Sequence, residues 1–277
     1  MLRVQSLPTE NALRAGAEPR RPRLASLSVV LPARNEEGNV ELAVLEVWQA
    51  AAAVADHVEV IVVDDGSQDR TAAIVEALRS GVAGLRLVRH ATSRGYGAAL
   101  RSGFAAATGE WLFFTDADRQ FDVSELARLV ALSENHDVVA GIRARRRDPA
   151  HRRAMALAWN RFVSLTLRVR LRDINCAFKL LRAEVVRALE LTANGAAFGA
   201  ELALALERHG ARIAQLPVFH RPRSWGRPTG GNPRVIADAF REYAGLLARA
   251  RRPRPGRRTA TLRPIAAHPQ ATISRAR

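Results

Sequence analysis

Asp116 and Asp118 stand on either side of one alanine, directly after the apolar run Trp111–Thr115. Two carboxylates in a turn leaving a strand can converge on one hard divalent cation, with diphosphate oxygens and water completing its octahedron. A cation so held neutralises charge that develops on a diphosphate leaving group. Gln120, two residues on, can add an amide oxygen. The spacing therefore suits Mg²⁺ or Mn²⁺. D-x-D is also common in ordinary surface turns, so its weight depends on the elements that position it.

Those elements alternate along the chain. Leu27–Leu31 is a short apolar run closed by Pro32 and predicts a buried strand. Asn39 is placed to cap a helix over Val40–Ala55, with Val40, Val44, Val47 and Trp48 near one face. Val58–Val63 predicts a second strand, and Ser67 or Asp69 the cap of a helix running to Leu78. Leu85–Val88, Trp111–Thr115 and Val138–Ile142 predict further strands, and Gly95–Ala107 and Val123–Leu132 further helices. Five strands alternating with four helices predict an α/β fold with a mainly parallel, doubly wound sheet.

In such a sheet ligands bind beyond the carboxyl ends of the strands. Pro32-Ala33-Arg34-Asn35-Glu36-Glu37 follows the first strand, Asp64-Asp65-Gly66-Ser67 the second, and Asp116-Ala117-Asp118-Arg119-Gln120 the fourth. Three acid-rich loops thus share one edge. That arrangement raises the weight of the D-x-D turn well above that of an isolated motif.

The chain as a whole is basic, with 43 Lys and Arg against 27 Asp and Glu over 277 residues, a net charge of +16. The excess is clustered: ten Arg and one Asp lie between 143 and 172, and nine Arg and no acid between 249 and 277. A leader over 1–24 is also basic, and the remainder is net acidic. We expect a flexible leader (1–25), one domain (26–250) and a disordered Arg/Pro-rich tail (251–277). The single cysteine, Cys176, excludes an intrachain disulfide and a multi-Cys zinc site. No run approaches the roughly 18 apolar residues of a membrane span, and the first residues lack a secretory signal's apolar stretch. Phosphate-loop, dinucleotide, zinc-protease and serine-elbow motifs are absent. Gly95 and Gly97 are expected to let a helix approach the sheet closely. A basic chain also suits nucleic acid, the rival class. The Arg clusters, however, lie in terminal and loop segments almost without aromatics, so no nucleic-acid partner is expected.

The stretches SVVLPARNEEGNV, VEVIVVDDGSQDRT, GYGAALRSGFAAATGEWLFFTDADRQFD, VVAGIRAR, RDINCAFKLLRAEVV and FGAELALALERHGARIAQLPVFHRPR occur in an order that resembles the family 2 glycosyltransferases of GT-A fold. The similarity is closest to the dolichol- or polyprenyl-phosphate mannosyl- and glucosyltransferase branch and covers about residues 26–245. It implies a nucleotide pocket lined by Pro32, Ala33, Asn35 and Glu36. Asp65 would contact the base, with Asp64 in support. Asp116 and Asp118 would bind Mg²⁺ or Mn²⁺ and the diphosphate, beside Ala117 and Gln120. Arg143 would face the donor phosphates or the acceptor, and Glu201 would be structural. The chain departs from the family at Ser93, where Asn is common, and at Ala177, where Gly is usual; the processive Q-x-x-R-W motif is absent.

The resemblance implies metal-dependent, inverting transfer of a hexose from a nucleotide-diphosphate sugar of the GDP-mannose or UDP-glucose type to a polyprenyl or dolichyl phosphate. A phosphate acceptor is already anionic near pH 7 and needs positive charge, whereas a saccharide or small-molecule hydroxyl, the alternative acceptor, needs a general base. Arg143 and Arg221 are the candidates to supply that charge, with Lys179 and Arg223 behind them and Arg145, Arg146, Arg147 and Arg227 nearby. Residues 151–171 place Met155, Trp159, Phe162, Val163 and Thr166 at helical spacing, bordered by Arg152, Arg153, Arg161, Arg168 and Arg170. Such a helix suits an anionic membrane surface, though it could equally pack on the domain. The C-terminal Arg tail would add roughly 1 kcal/mol of attraction per residue near anionic lipid. The expected location is cytoplasmic, peripheral on the inner face of the membrane.

Overall fold

The apolar runs assemble into one seven-stranded sheet in this computed structural model, which describes residues 22–144, 150–223, 225–226 and 233–251. β1 (Leu24–Ala33) pairs in parallel with β2 (Ala55–Asp65) and β4 (Trp111–Thr115), and β2 with β3 (Leu85–His90). The connections are α1 (Val40–Ala52), α2 (Thr71–Leu78) and α3 (Tyr96–Ala106). α1 ends before the expected Ala55 because that residue already belongs to β2, opposite Leu24. Asn39 occupies the cap position of α1 without a capping bond, since its amide donates to Glu36 Oε2 at 2.7 Å. Arg70, not Ser67 or Asp69, occupies the cap position of α2 and makes no side-chain capping bond, while Asp69 one residue earlier accepts from Thr71 N at 2.9 Å. The segment 123–132 is not one helix: a 3-10 turn, Val123–Glu125, leads into the short α4 (Leu126–Val130).

Two strands beyond the five expected complete the sheet. β5 (Val138–Ala144) is followed by α5 (Ala150–Leu167), β6 (Phe178–Arg182), α6 (Ala183–Arg187), α7 (Phe198–His209), β7 (Ile213–Phe219) and α8 (Pro233–Arg251). The spatial order is β3-β2-β1-β4-β6-β5-β7. β6 runs antiparallel to both β4 and β5, so β5 is parallel to β4 and ends at the same edge. The reversed strand instead brings its amino end there, with Phe178 opposite Thr115.

The core is the sheet itself. Val29, Val30, Val60 to Val63, Phe113, Leu180 and Leu181 are fully buried against the helices. A second cluster joins Val163 and Leu167 of α5, Ala200 and Leu204 of α7, and Tyr243 and Leu246 of α8. Gly97 permits a close approach of a different kind from the one expected. A β-carbon there would lie 2.5 Å from Ala193 O and 2.8 Å from Phe198 Cβ, so at this position α3 closes on the entrance to α7, while Gly103 of the same helix meets Val30 and Val63 of the sheet. Among the described residues no helix is long and apolar enough to cross a membrane. The expected leader and tail lie outside the described residues, except for residues 22–25 and Arg251.

Candidate active site

The carboxyl edge is held together by hydrogen bonds between its loops. Asn35, at φ +53°, donates its N–H to Ser67 Oγ at 2.9 Å and accepts from Gln68 N at 2.8 Å. Glu36 N donates to Thr71 Oγ1 at 2.8 Å. The Glu36 side chain is buried, and burial pushes its carboxyl above the usual range despite the Asn39 bond. Pro32 and Ala33 end β1 beside Val63 and Asp64 of β2.

The two acids that end β2 have different roles. Asp65 accepts from His90 Nδ1 (2.6 Å), Ser93 Oγ (2.8 Å), Arg94 N (2.8 Å) and Gly95 N (2.9 Å). Burial alone would raise its pKa, but these four donors hold it below the ordinary value. Asp64 accepts from Ser67 N through Oδ1, while its buried Oδ2 has no hydrogen-bond partner. Ser93 thus makes a side-chain contact within the site even though it replaces the family's common Asn.

The acidic turn follows β4. Ala117 is buried, and Asp116 and Asp118 flank it. Desolvation first, and then the charge of Asp118, pushes Asp116 up to about 7. Tyr96 Oη donates to Asp116 Oδ1 at 3.0 Å. Desolvation of its hydroxyl, although the side chain as a whole is 38% exposed, and the nearby Asp116 raise the phenol well above its ordinary pKa, so it remains an O–H donor. Asp118 Oδ1 accepts from Gln120 N at 3.2 Å, and Asp118 Oδ2 from Arg223 Nη2 at 2.9 Å. Gln120 Nε2 donates to Arg221 O at 3.1 Å.

Two crowded carboxylates in a desolvated turn are a donor set that fits a divalent cation. Among the described residues no group of three or more His, Cys, Asp or Glu is arranged to hold a metal. A carboxylate pair of this kind matches the way Mg²⁺ commonly binds, through one or two carboxylates and substrate phosphates.

The arginines are distributed differently from their order of expectation. Arg143, at the end of β5, is locked to Asp173 by Nε–Oδ2 at 2.8 Å and Nη2–Oδ1 at 2.7 Å. Burial would lower its pKa and Asp173 raises it, with the net shift upward; the partner carboxyl is held down to about 2. The Arg143 charge still lowers Asp116. Arg221 pairs with Asp122 at 2.8 Å and is 43% exposed. Arg223, 22% exposed, is the arginine that reaches the acidic turn. Lys179 is fully buried, donates to the Ile174 and Cys176 carbonyls, and has its pKa lowered by burial. Glu201 is structural, accepting from Thr192 and Ala193 amides. Arg145, Arg146, Arg147 and Arg227 lie outside the described residues, as does the Arg152 side chain.

Tyr96 and Asp173 were not among the candidates read from the chain. Tyr96 had one available signal, its position at the start of the helix that follows β3. Asp173 had none beyond its place before the strand that proves to be reversed.

A mainly parallel sheet with one reversed strand and an Asp-Ala-Asp turn at its carboxyl edge is the GT-A glycosyltransferase architecture. Residues 28–189 match Glycosyl transferase family 2, and the chain belongs to that family. It is 32% identical over 217 residues to an undecaprenyl-phosphate 4-deoxy-4-formamido-L-arabinose transferase of Shewanella sediminis (strain HAW-EB3), covering 76% of this chain and 63% of that protein. The transferase of the same name from Pseudomonas aeruginosa (strain LESB58) is 32% identical, covering 72% and 59%. The chain thus spans about three fifths of the length of these curated relatives. Among solved structures, Mycobacterium tuberculosis glucosyl-3-phosphoglycerate synthase with Mn²⁺ and UDP-glucose aligns at TM-score 0.61 and 26% identity, covering 84% of this chain and 81% of that one. The same synthase with Mn²⁺, UDP and phosphoglyceric acid aligns at TM-score 0.63 and 26% identity, with the same coverage.

Proposed function

We propose that the protein transfers a hexose-type sugar from a nucleotide-diphosphate donor to a polyprenyl phosphate, with inversion, at a membrane surface. The observation that carries this reading is the desolvated Asp116–Asp118 pair at the carboxyl edge, in a chain whose curated relatives are named as undecaprenyl-phosphate sugar transferases. A phosphate oxygen of the acceptor attacks the anomeric carbon. The new C–O bond forms as the bond to the diphosphate breaks, and the nucleoside diphosphate leaves. The acceptor phosphate is already ionised near neutral pH, so the site needs no general base for this step.

The protein's own residues divide the work. Pro32, Ala33, Asn35, Glu36 and Asp65 form the nucleotide end. Asp116 and Asp118 would hold Mg²⁺ or Mn²⁺, which when bound neutralises charge on the leaving diphosphate. Arg143, oriented by Asp173, supplies fixed positive charge beside Asp116. Arg221, half-exposed, paired with Asp122 and tied through its N–H to Gln120 O, is the charge offered to an anionic acceptor.

α5 and α8 support the membrane assignment. The stripe read on α5 is divided: Val163 is buried and Trp159 meets Tyr243 and Phe240 of α8 edge to face, with ring centroids 5.2 and 5.6 Å apart. Leu157 (69%), Leu165 (70%), Met155 and Phe162 of α5 and Phe240 (52%) of α8 are left exposed around this contact. Arg153 and Arg161 of α5, Arg168 just beyond its end and Arg241 of α8 are exposed as well. Apolar side chains bordered by arginine suit the headgroup boundary of an anionic leaflet.

A second reading is favoured by the likeness to glucosyl-3-phosphoglycerate synthase: the acceptor would be a small phosphorylated molecule. One assay separates the two. Full-length protein is incubated with Mg²⁺ or Mn²⁺, UDP- and GDP-sugars, and either polyprenyl phosphate or phosphoglyceric acid. A solvent-extractable glycolipid of the expected mass supports the first reading, and a water-soluble glycoside alone supports the second. Asp118→Ala should abolish either product while preserving the circular dichroism spectrum.

A further inference from the structure

The segment after β7 folds back across the acidic turn. Phe121 and His220 form an isolated antiparallel bridge, and Arg221 N donates to Gln120 O at 2.6 Å. Together with the Gln120 amide bond to Arg221 O, these contacts fasten the base of a strap whose described residues are 220–223 and 225–226. Beyond the base, Arg223 turns inward. Its Nη2 donates to Glu36 Oε1 and to Asp118 Oδ2, both at 2.9 Å, and so ties the loop after β1 to the loop after β4. Trp225 then packs on Gly38, where an added β-carbon would lie 2.6 Å from the indole. Any side chain at position 38 would displace it.

We propose that Arg223 is a built-in competitor for the divalent cation, and that cation binding releases the strap. The inference rests on the cation reading of Asp116 and Asp118. A guanidinium bonded to Asp118 Oδ2 both neutralises that carboxylate and occupies its outward direction. A divalent ion using the same oxygen would meet a like charge within hydrogen-bond distance of it. The two cations therefore exclude one another at Asp118. Once Arg223 leaves Asp118, the direct bond it makes between the loop after β1 and the loop after β4 is lost, while the contacts at the base of the strap and the packing of Trp225 on Gly38 do not involve Asp118. Ion binding at the acidic turn is in this way coupled to opening beside Glu36, at the nucleotide end of the cleft.

The test measures Mn²⁺ binding to the full chain without nucleotide, from the paramagnetic resonance signal of free Mn²⁺. Arg223→Gln removes the competing charge and should bind Mn²⁺ on the order of tenfold more tightly than wild type. Arg223→Lys keeps the charge, loses the two-carboxylate bridge and should fall between them; it also preserves the test if the Gln variant does not fold. Saturating Mn²⁺ should shift the tryptophan emission of wild type, and Trp225→Phe should remove that shift. Equal or weaker Mn²⁺ affinity in both Arg223 variants, with wild-type binding intact, overturns the competition and leaves the cation reading standing. If neither wild type nor variants bind Mn²⁺, even with UDP or GDP present, both fall.

Discussion

Arg143 and Asp173 meet in a bidentate pair at the carboxyl edge, although one ends β5 and the other lies in the loop that delivers the reversed β6. The pair is nearly buried, and Asp173 also accepts from Arg143 N at 3.1 Å. Asp173 therefore fixes both the backbone and the guanidinium of a residue whose charge acts on Asp116.

Removing one partner leaves the other as an uncompensated buried charge. Asp173→Ala should destabilise the protein by about 3–5 kcal/mol. Asp173→Glu should recover part of that loss, since the charge is kept and only its reach changes. Chemical denaturation of the three proteins checks the ordering; equal midpoints would show that the pair does not orient Arg143.

Tyr96 is a positioning residue for Asp116. Tyr96→Phe keeps the ring and deletes one hydrogen bond to a carboxylate, a change worth about 1.5–3 kcal/mol. The expected result is a fall in kcat/KM of about tenfold or more, with the circular dichroism spectrum unchanged. A variant with wild-type kinetics would remove Tyr96 from the site's machinery.

Asp116 carries a pH signature. Its folded pKa of about 7 lies above the unfolded carboxylate value, so between these limits the folded chain holds a proton that the unfolded chain has lost. The stabilisation from this proton is complete below the unfolded pKa and is lost as pH rises through 7. With a chelator present, wild type should therefore gain melting temperature on acidification from pH 7.5 to 5, relative to Asp116→Asn. Mn²⁺ affinity should move oppositely, rising with pH through 7 as the competing proton leaves. Parallel melting curves for the two proteins would contradict the assignment.

The outward side of α5 is open to direct perturbation because Leu157 and Leu165 are 69% and 70% exposed. Replacing Leu157 and Leu165 together by Asp should leave the melting temperature nearly unchanged. The same change should lower co-sedimentation with phosphatidylglycerol vesicles on the order of tenfold, from lost apolar insertion and added repulsion. Undiminished vesicle binding would exclude this face as the docking surface.

Much of the first half of the fold is legible in the chain because its signals are local. β4 is four apolar residues and one threonine between Glu110 and Asp116, and its expected bounds coincide with those observed. β6 and β7 are less visible. Phe178–Arg182 is only five residues long and contains Lys179, whose burial depends on two carbonyls and the Phe114 ring. Ile213–Phe219 carries Gln215 and Pro217, which weaken an apolar pattern that an edge strand tolerates. The amphipathic stretch 151–171 announces a helix but not its partner, and α8 covers only the inner side of its apolar stripe.

The sequence by itself determined that three acid-bearing loops follow strands of one sheet, because strand periodicity and the parallel alternation leave those loops on a single edge. Tertiary structure alone decided which arginine meets which carboxylate. Arg143 finds Asp173 at a separation of 30 residues, Arg221 finds Asp122 at 99, and Arg223 finds Asp118 at 105. The chain offers the same guanidinium at all three positions, so composition cannot rank them. Ion pairing acts over a few ångströms, and only the reversed strand and the returning strap bring those groups within that distance.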